Sequence, residues 1–103
     1  MASKMNNKAL LQRLRKIKAL IVKGWTRNYF ATNKNGRPID YQSRGAVNFC
    51  LLGAIRRVCK SDHLKYSESV SFIRRNDYSI ADFNDKQRSN KPIIALLDKA
   101  IAR

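Results

Sequence analysis

The chain has 103 residues, 22 Lys and Arg against 7 Asp and Glu for a net charge of +15, and 44% hydrophobic residues. That length holds one core and leaves no room for a second, while so much apolar material interspersed with charge excludes disorder outside the termini. The charge exceeds the roughly 2 to 8 that keeps a small domain soluble. The expected partner is therefore nucleic acid, DNA or RNA, since each phosphate neutralised by Lys or Arg releases counterions; an acidic protein comes second.

Residues 1–7 are polar and read as a flexible N-terminus ahead of a single basic domain over 8–103. No signal peptide is recognisable, because Arg13, Arg15, Lys16 and Lys18 interrupt the apolar positions from Leu10 to Val22. No apolar run reaches the roughly 18 to 20 residues that cross a bilayer, so no membrane partner is expected. Residues 8–23 predict the clearest helix. Leu10, Leu14, Ile17 and Ile21 form a stripe widened by Leu11 and Leu20, and Gly24 is placed to end it. Lys8, Arg13, Arg15, Lys16, Lys18 and Lys23 fill the other faces. A phosphate-facing helix and a solvated surface helix fit this pattern equally.

Trp25 precedes a segment in which Asn35-Gly36 separates two runs containing Tyr29, Phe30, Ile39 and Tyr41. Asn-Gly suits both positive-φ positions of a type I′ turn, which predicts a short hairpin resting on the helices. Arg27, Lys34 and Arg37 are candidate phosphate ligands in this loop, with Tyr29 or Tyr41 able to stack on a base. The preferred reading of the aromatics, Trp25 included, is that they seal the edge of the core.

From Ala46 to Val58 nearly every position is apolar, predicting a buried central helix capped by Ser43, in which Gly53 and Ala54 let a neighbouring backbone come close. Cys50 falls inside that run as a small hydrophobe. Cys59 lies at a spacing that fits no CxxC motif, and His63 is the only histidine, so two free thiols are expected and no metal or cofactor. Arg56, Arg57 and Lys60 close the helix as a cationic cluster.

A shorter helix is expected over 64–75, ending on Arg74 and Arg75. Ser79 then caps a short turn containing Ile80, Ala81, Asp82 and Phe83. Asp82 and Asp85 have the chemistry to share a divalent cation, but with no third acid beside them they read as cap and loop residues. Pro92 begins a last helix with Ile93, Leu96, Leu97, Ala100 and Ile101 on one stripe. The predicted fold is all-α or mainly α: a compact domain of four or five helices, with a short β-hairpin near residues 29–41.

Trp25, Tyr29, the Asn35-Gly36-Arg37-Pro38 turn, AVNFCLLGAI at 46–55, FND at 83–85 and IIALLDKAI at 93–101 occur in an order that resembles an uncharacterised small domain family of actinobacteria and bacteriophages. The corresponding segments of that family read A-V-x-W-C-L-x-G-A and W-N-D, with a Leu-rich last helix. Phe49 and Phe83 stand here where tryptophans are usual. The resemblance spans most of residues 10–102. It implies a bacterial or phage origin, hence a bacterial cytoplasm, and structural roles for Cys50, Gly53, Asn84 and Asp85. It brings no activity with it.

The expected function is non-enzymatic nucleic-acid binding. The phosphate contacts come from Lys8, Arg13, Arg15, Lys16, Lys18, Lys23, Arg27, Lys34, Arg37, Arg56, Arg57, Lys60, Arg74 and Arg75. The alternative is a phage or mobile-element protein that binds and modulates a host protein or a nucleoprotein defence complex. A single histidine, few acids and no phosphate-cradling glycine loop argue against an enzyme.

Overall fold

The structure, a computed structural model, describes residues 3–73 and 77–102. Its first helix, α1 (Ser3–Lys23), buries Leu10, Leu14, Ile17 and Ile21, the stripe visible in the sequence. It begins at Ser3, earlier than the expected start at residue 8. Propagating a helix adds a hydrogen bond per residue without needing a core partner, so the polar residues before Lys8 continue it.

Past Gly24 the chain forms two short strands, β1 (Ala31–Thr32) and β2 (Asn48–Phe49), antiparallel with Ala31 opposite Phe49 and Thr32 opposite Asn48. The expected hairpin is present in reduced form. Thr32 bridges Pro38, Asn33 N donates to Arg37 O (2.8 Å), and Ile39 N donates to Ala31 O (3.1 Å). The turn is not type I′, because Gly36 alone takes a positive φ (81°) and Asn35 does not. Gly36 N donates to Asn33 O (2.9 Å), and Asn33 Oδ1 accepts from the backbone N of both Asn35 and Arg37. That asparagine side chain favours a longer loop ending on a left-handed glycine.

The central helix is α2 (Leu51–Cys59), and it corrects the expected span from residue 46 and the expected Ser43 cap. Val47 N donates to Thr32 O, Phe49 N to Gly24 O and Cys50 N to Phe30 O, so the backbone stays extended until Cys50. Cys50 is the N-cap; its Sγ accepts from Gly53 N at 3.2 Å. Ser43 instead closes a local turn, its Oγ accepting from Gly45 N. The rest of α2 is as apolar as its sequence, with Leu51, Leu52, Gly53, Ala54, Ile55 and Cys59 buried.

α3 (His63–Phe72) starts on Asp62, whose Oδ1 accepts from Lys65 N (3.0 Å). Arg74 and Arg75 lie outside the described residues. α4 (Asp77–Asp85) replaces the expected short turn. Ser79 sits inside it and is not its cap, because the helix is long enough to bury both Ile80 and Asn84. α5 (Lys91–Ala102) runs back along α1: Asn90 Nδ2 donates to Ile21 O (3.1 Å), and Asp98 pairs with Lys18 further on. Five helices and one small antiparallel sheet make the domain mainly α. α2 touches α1, α3, α4 and β2, and α1 and α5 close the layer opposite. Leu14, Ile17, Ile21, Leu51, Ile55, Ile73, Ile80, Ile93 and Leu97 are fully buried between them. Each such side chain stabilises the fold by about 1.5 to 3 kcal/mol before chain entropy is counted. Among the described residues no helix is long and apolar enough to cross a membrane.

The tightest backbone approach is at Gly53, where an added Cβ would overlap the carbonyl of Phe30. That carbonyl also accepts from Cys50 N (3.2 Å), a bond that moving it aside would disturb. Gly53→Ala is therefore expected to destabilise the fold by about 1 to 3 kcal/mol, measured by urea unfolding. An unchanged midpoint would mean that the strand does not rest on α2 there.

Candidate nucleic-acid interface

Asn84 is fully buried, and its carboxamide uses every hydrogen-bonding position it has. Its Oδ1 accepts from Trp25 Nε1 (2.8 Å) and from Leu51 N (3.0 Å); its Nδ2 donates to Thr26 O (3.1 Å) and to Asp85 Oδ1 (3.1 Å). The same Asp85 oxygen accepts from Asn28 N (2.9 Å), fixing Asn28 in a left-handed conformation with φ 72°. Two residues of the FND segment thus fasten the exit of α1, the loop after it and the first turn of α2 to α4.

This fastening leaves an open cleft of about 640 Å³ beside the start of α2. Segments 28–31 and 38–41 line it together with Cys50, Leu52, Ala81 and Asp85. Tyr29 and Phe30 are 50% and 44% exposed, and Phe30 meets Tyr41 edge to face with centroids 5.9 Å apart. Asp40 and Asp85 both line the cleft, and no Lys, Arg or His does among the described residues. The sequence alone assigned no binding role to Asp40 or Phe30, the latter being read as one of the aromatics of the hairpin. The available signal was an acid beside an aromatic, at 40–41, in a chain that has few acids to place.

The cations divide into two groups. Arg13 is buried; its Nη1 donates to Glu68 Oε1 (2.8 Å) and Ser69 Oγ (3.2 Å), fastening α1 to α3. Arg57 Nη1 donates to the carbonyls of Tyr41 and Ser43, both at 2.8 Å, and the guanidinium lies 5.5 Å from the Phe49 ring centre. Arg56 stacks between rings, 5.3 Å from Phe30 and 4.6 Å from Tyr66. Lys18 pairs with Asp98 (2.6 Å), and Arg27 donates to Gln87 O (2.9 Å). Lys8, Arg15, Lys16, Lys23, Lys34, Arg37 and Lys60 are exposed and make no ion pair among the described residues. The α2 terminus is thus no free cationic cluster, since two of its three members are committed to packing, while the outer side of α1 carries Lys8, Arg15, Lys16 and Lys23 without an ion pair among the described residues.

Both cysteines are free and buried. Burial pushes the Cys50 thiol above its ordinary range, the Asp85 charge adds to this, and the hydrogen bond from Gly53 opposes it. Burial also raises Cys59, against a hydrogen bond with Ser69. Asp82 pairs with Lys86 (3.1 Å), and no three of His, Cys, Asp and Glu converge to hold a metal among the described residues.

A mainly α domain whose segments are tied through one buried carboxamide, with a basic helix on its outside, is the class that fold and site define. Residues 5–103 match the profile of a family of unknown function, DUF6197, and the chain belongs to that family. No curated protein and no solved structure matches it.

Asn84→Ala leaves the Trp25 and Leu51 N–H groups and the Thr26 carbonyl without their partner. At about 1 to 3 kcal/mol per buried group this removes much of the stability of an ordinary domain. A lowered urea midpoint and red-shifted Trp25 fluorescence are expected. Cys50→Ala loses the cap and a little packing, about 1 kcal/mol. Because the folded thiol holds its proton more tightly than the unfolded one, its contribution is full below the ordinary thiol range. It declines as pH rises through that range toward the raised value. The Cys50→Ala melting temperature should accordingly vary less above about pH 9 than that of the parent, and native Cys50 should react slowly with thiol reagents at neutral pH.

Proposed function

We propose that this domain binds nucleic acid without catalysis, through phosphate contacts made by the outer side of α1. The observation that carries the reading is the row of exposed Lys8, Arg15, Lys16 and Lys23 on one helix, without an ion pair among the described residues. Lys8 and Arg15, like Lys16 and Lys23, are seven residues apart, close to two helical turns, so the four charges form two short parallel rows along one side. Five of the seven acids are engaged elsewhere: Glu68 with Arg13, Asp98 with Lys18, Asp82 with Lys86, Asp62 at the start of α3 and Asp85 beneath Asn84. Rows of fixed charge on a rigid helix suit a polyanion, and phosphate contacts of this kind position the protein without reading sequence.

A filter-binding series between about 50 and 200 mM salt tests this. Affinity falls linearly on a log-log plot by about 0.7 to 0.9 per phosphate contact. Arg15→Gln and Lys16→Gln each reduce the slope by roughly one contact with the melting temperature unchanged, whereas Arg57→Gln lowers the melting temperature and leaves the slope alone. Absence of binding at the low end, together with tight binding to a single protein, would replace this reading with the protein-partner one.

A further inference from the structure

The cleft beside α2 has a chemistry opposite to that of the surface around it. In a chain with 22 basic and 7 acidic residues, its two charged lining residues are both carboxylates. Each is anchored through one oxygen. Asp85 Oδ1 accepts from Asn28 N and Asn84 Nδ2, and Asp40 Oδ1 accepts from Gln42 N (2.8 Å). The second oxygen of each makes no hydrogen bond among the described residues. Such oxygens ask for N–H donors and repel phosphate.

Tyr29 and Phe30 line the same cleft and are both about half exposed. The Phe30 ring is fixed on one side by Tyr41 and on another by the Arg56 guanidinium, so it offers a preformed flat apolar surface and needs no ordering. Arg27 and Arg37 adjoin the lining residues Asn28 and Pro38 in the chain, and neither lines the cleft itself. Aromatic faces and donor-seeking oxygens within, with positive charge outside, match a nucleotide whose base enters while its phosphates remain at the rim. The volume suits one such group, since small-ligand sites run from about 300 to 1,000 Å³.

We propose that the cleft takes a single unstacked base bearing an exocyclic amino group, presented by single-stranded nucleic acid. The base stacks against Tyr29 or Phe30, and its amino group donates to Asp85 or Asp40. A duplex does not satisfy the site, because its base faces are covered by stacking. Cytosine fits: its N4 amino group is a donor suited to a carboxylate, whereas thymine presents the O4 acceptor at the same position. This inference rests on the nucleic-acid reading above and adds selectivity to it.

The test compares single-stranded oligo-dC and oligo-dT of equal length, about 12 nucleotides, by fluorescence anisotropy at neutral pH and about 50 mM salt. The parent is expected to bind oligo-dC about tenfold more tightly, with the same salt slope for both. Asp85→Asn keeps the oxygen that Asn28 and Asn84 use and places a donor where the free oxygen was. The preference then disappears or turns toward oligo-dT, with the slope unchanged. Tyr29→Ala, at a half-exposed position, weakens both ligands about tenfold without lowering the melting temperature. If Asp85→Asn unfolds, two further measurements decide. Asp40→Asn reduces the preference, and photocrosslinking of an oligo-dC carrying 5-iodocytosine gives adducts at Tyr29, Phe30 or Tyr41. Salt-dependent binding with equal affinity for the two oligonucleotides, or adducts confined to α1, overturns the cleft and leaves the phosphate face standing. Absence of binding to either oligonucleotide overturns both.

Discussion

The structure depends on one buried carboxamide. Asn84 joins the exit of α1 through Trp25 and Thr26, the first turn of α2 through Leu51, and its own neighbour Asp85. An asparagine has two acceptor and two donor positions, and all four are taken, so the amide has one orientation only. Turning it over would set donors against the Trp25 and Leu51 N–H groups. In a dry interior each of these bonds is strong because the alternative is an unpaired polar group. Three segments far apart in the chain are thereby held in one arrangement by a residue that contributes little apolar area.

The geometry of α2 follows from that arrangement. Leu51 N is satisfied by Asn84 and Gly53 N by the Cys50 sulfur, so two of the four donors exposed at the start of a helix are paired inside the protein. Upstream, the backbone is engaged at a sheet edge, with Val47, Phe49 and Cys50 donating to Thr32, Gly24 and Phe30. Strand gives way to helix at Cys50 because that is where the last external acceptor is used and the first capping group is met. Gly53 then lets the Phe30 backbone lie directly on α2, which brings Phe30 beside the cleft residues Cys50 and Leu52.

Charge is partitioned with similar economy. Arginines whose guanidinium can reach several carbonyls or rings at once, Arg13, Arg56 and Arg57, are drawn into the framework. Lysines, as compact and strongly hydrated charges, remain mostly outside. Most of the described acids are taken up by caps, pairs and the FND segment, and exposed Lys and Arg, those of α1 and the hairpin loop among them, leave an excess of positive charge at the surface. The exposed ion pairs, such as Lys86 with Asp82, add little stability. Their main effect is to decide which cations stay free.

The sequence by itself determined the mainly α class, the core stripe of α1, the apolar identity of α2 and the positive surface, because periodicity and composition are local properties of the chain. It could not place the start of α2. AVNF reads as helix by its apolar content, yet Thr32, Gly24 and Phe30 supply acceptors that hold it extended. Nor could it tell Arg57 from Lys16. Both are cations beside apolar residues, and only the fold puts the Tyr41 and Ser43 carbonyls within reach of one and water around the other. The cleft belongs wholly to tertiary structure. Tyr29, Asp40, Cys50 and Asp85 come from four separate segments, and their meeting depends on long-range hydrogen bonds to Asn84 and Asp85 that no local pattern encodes.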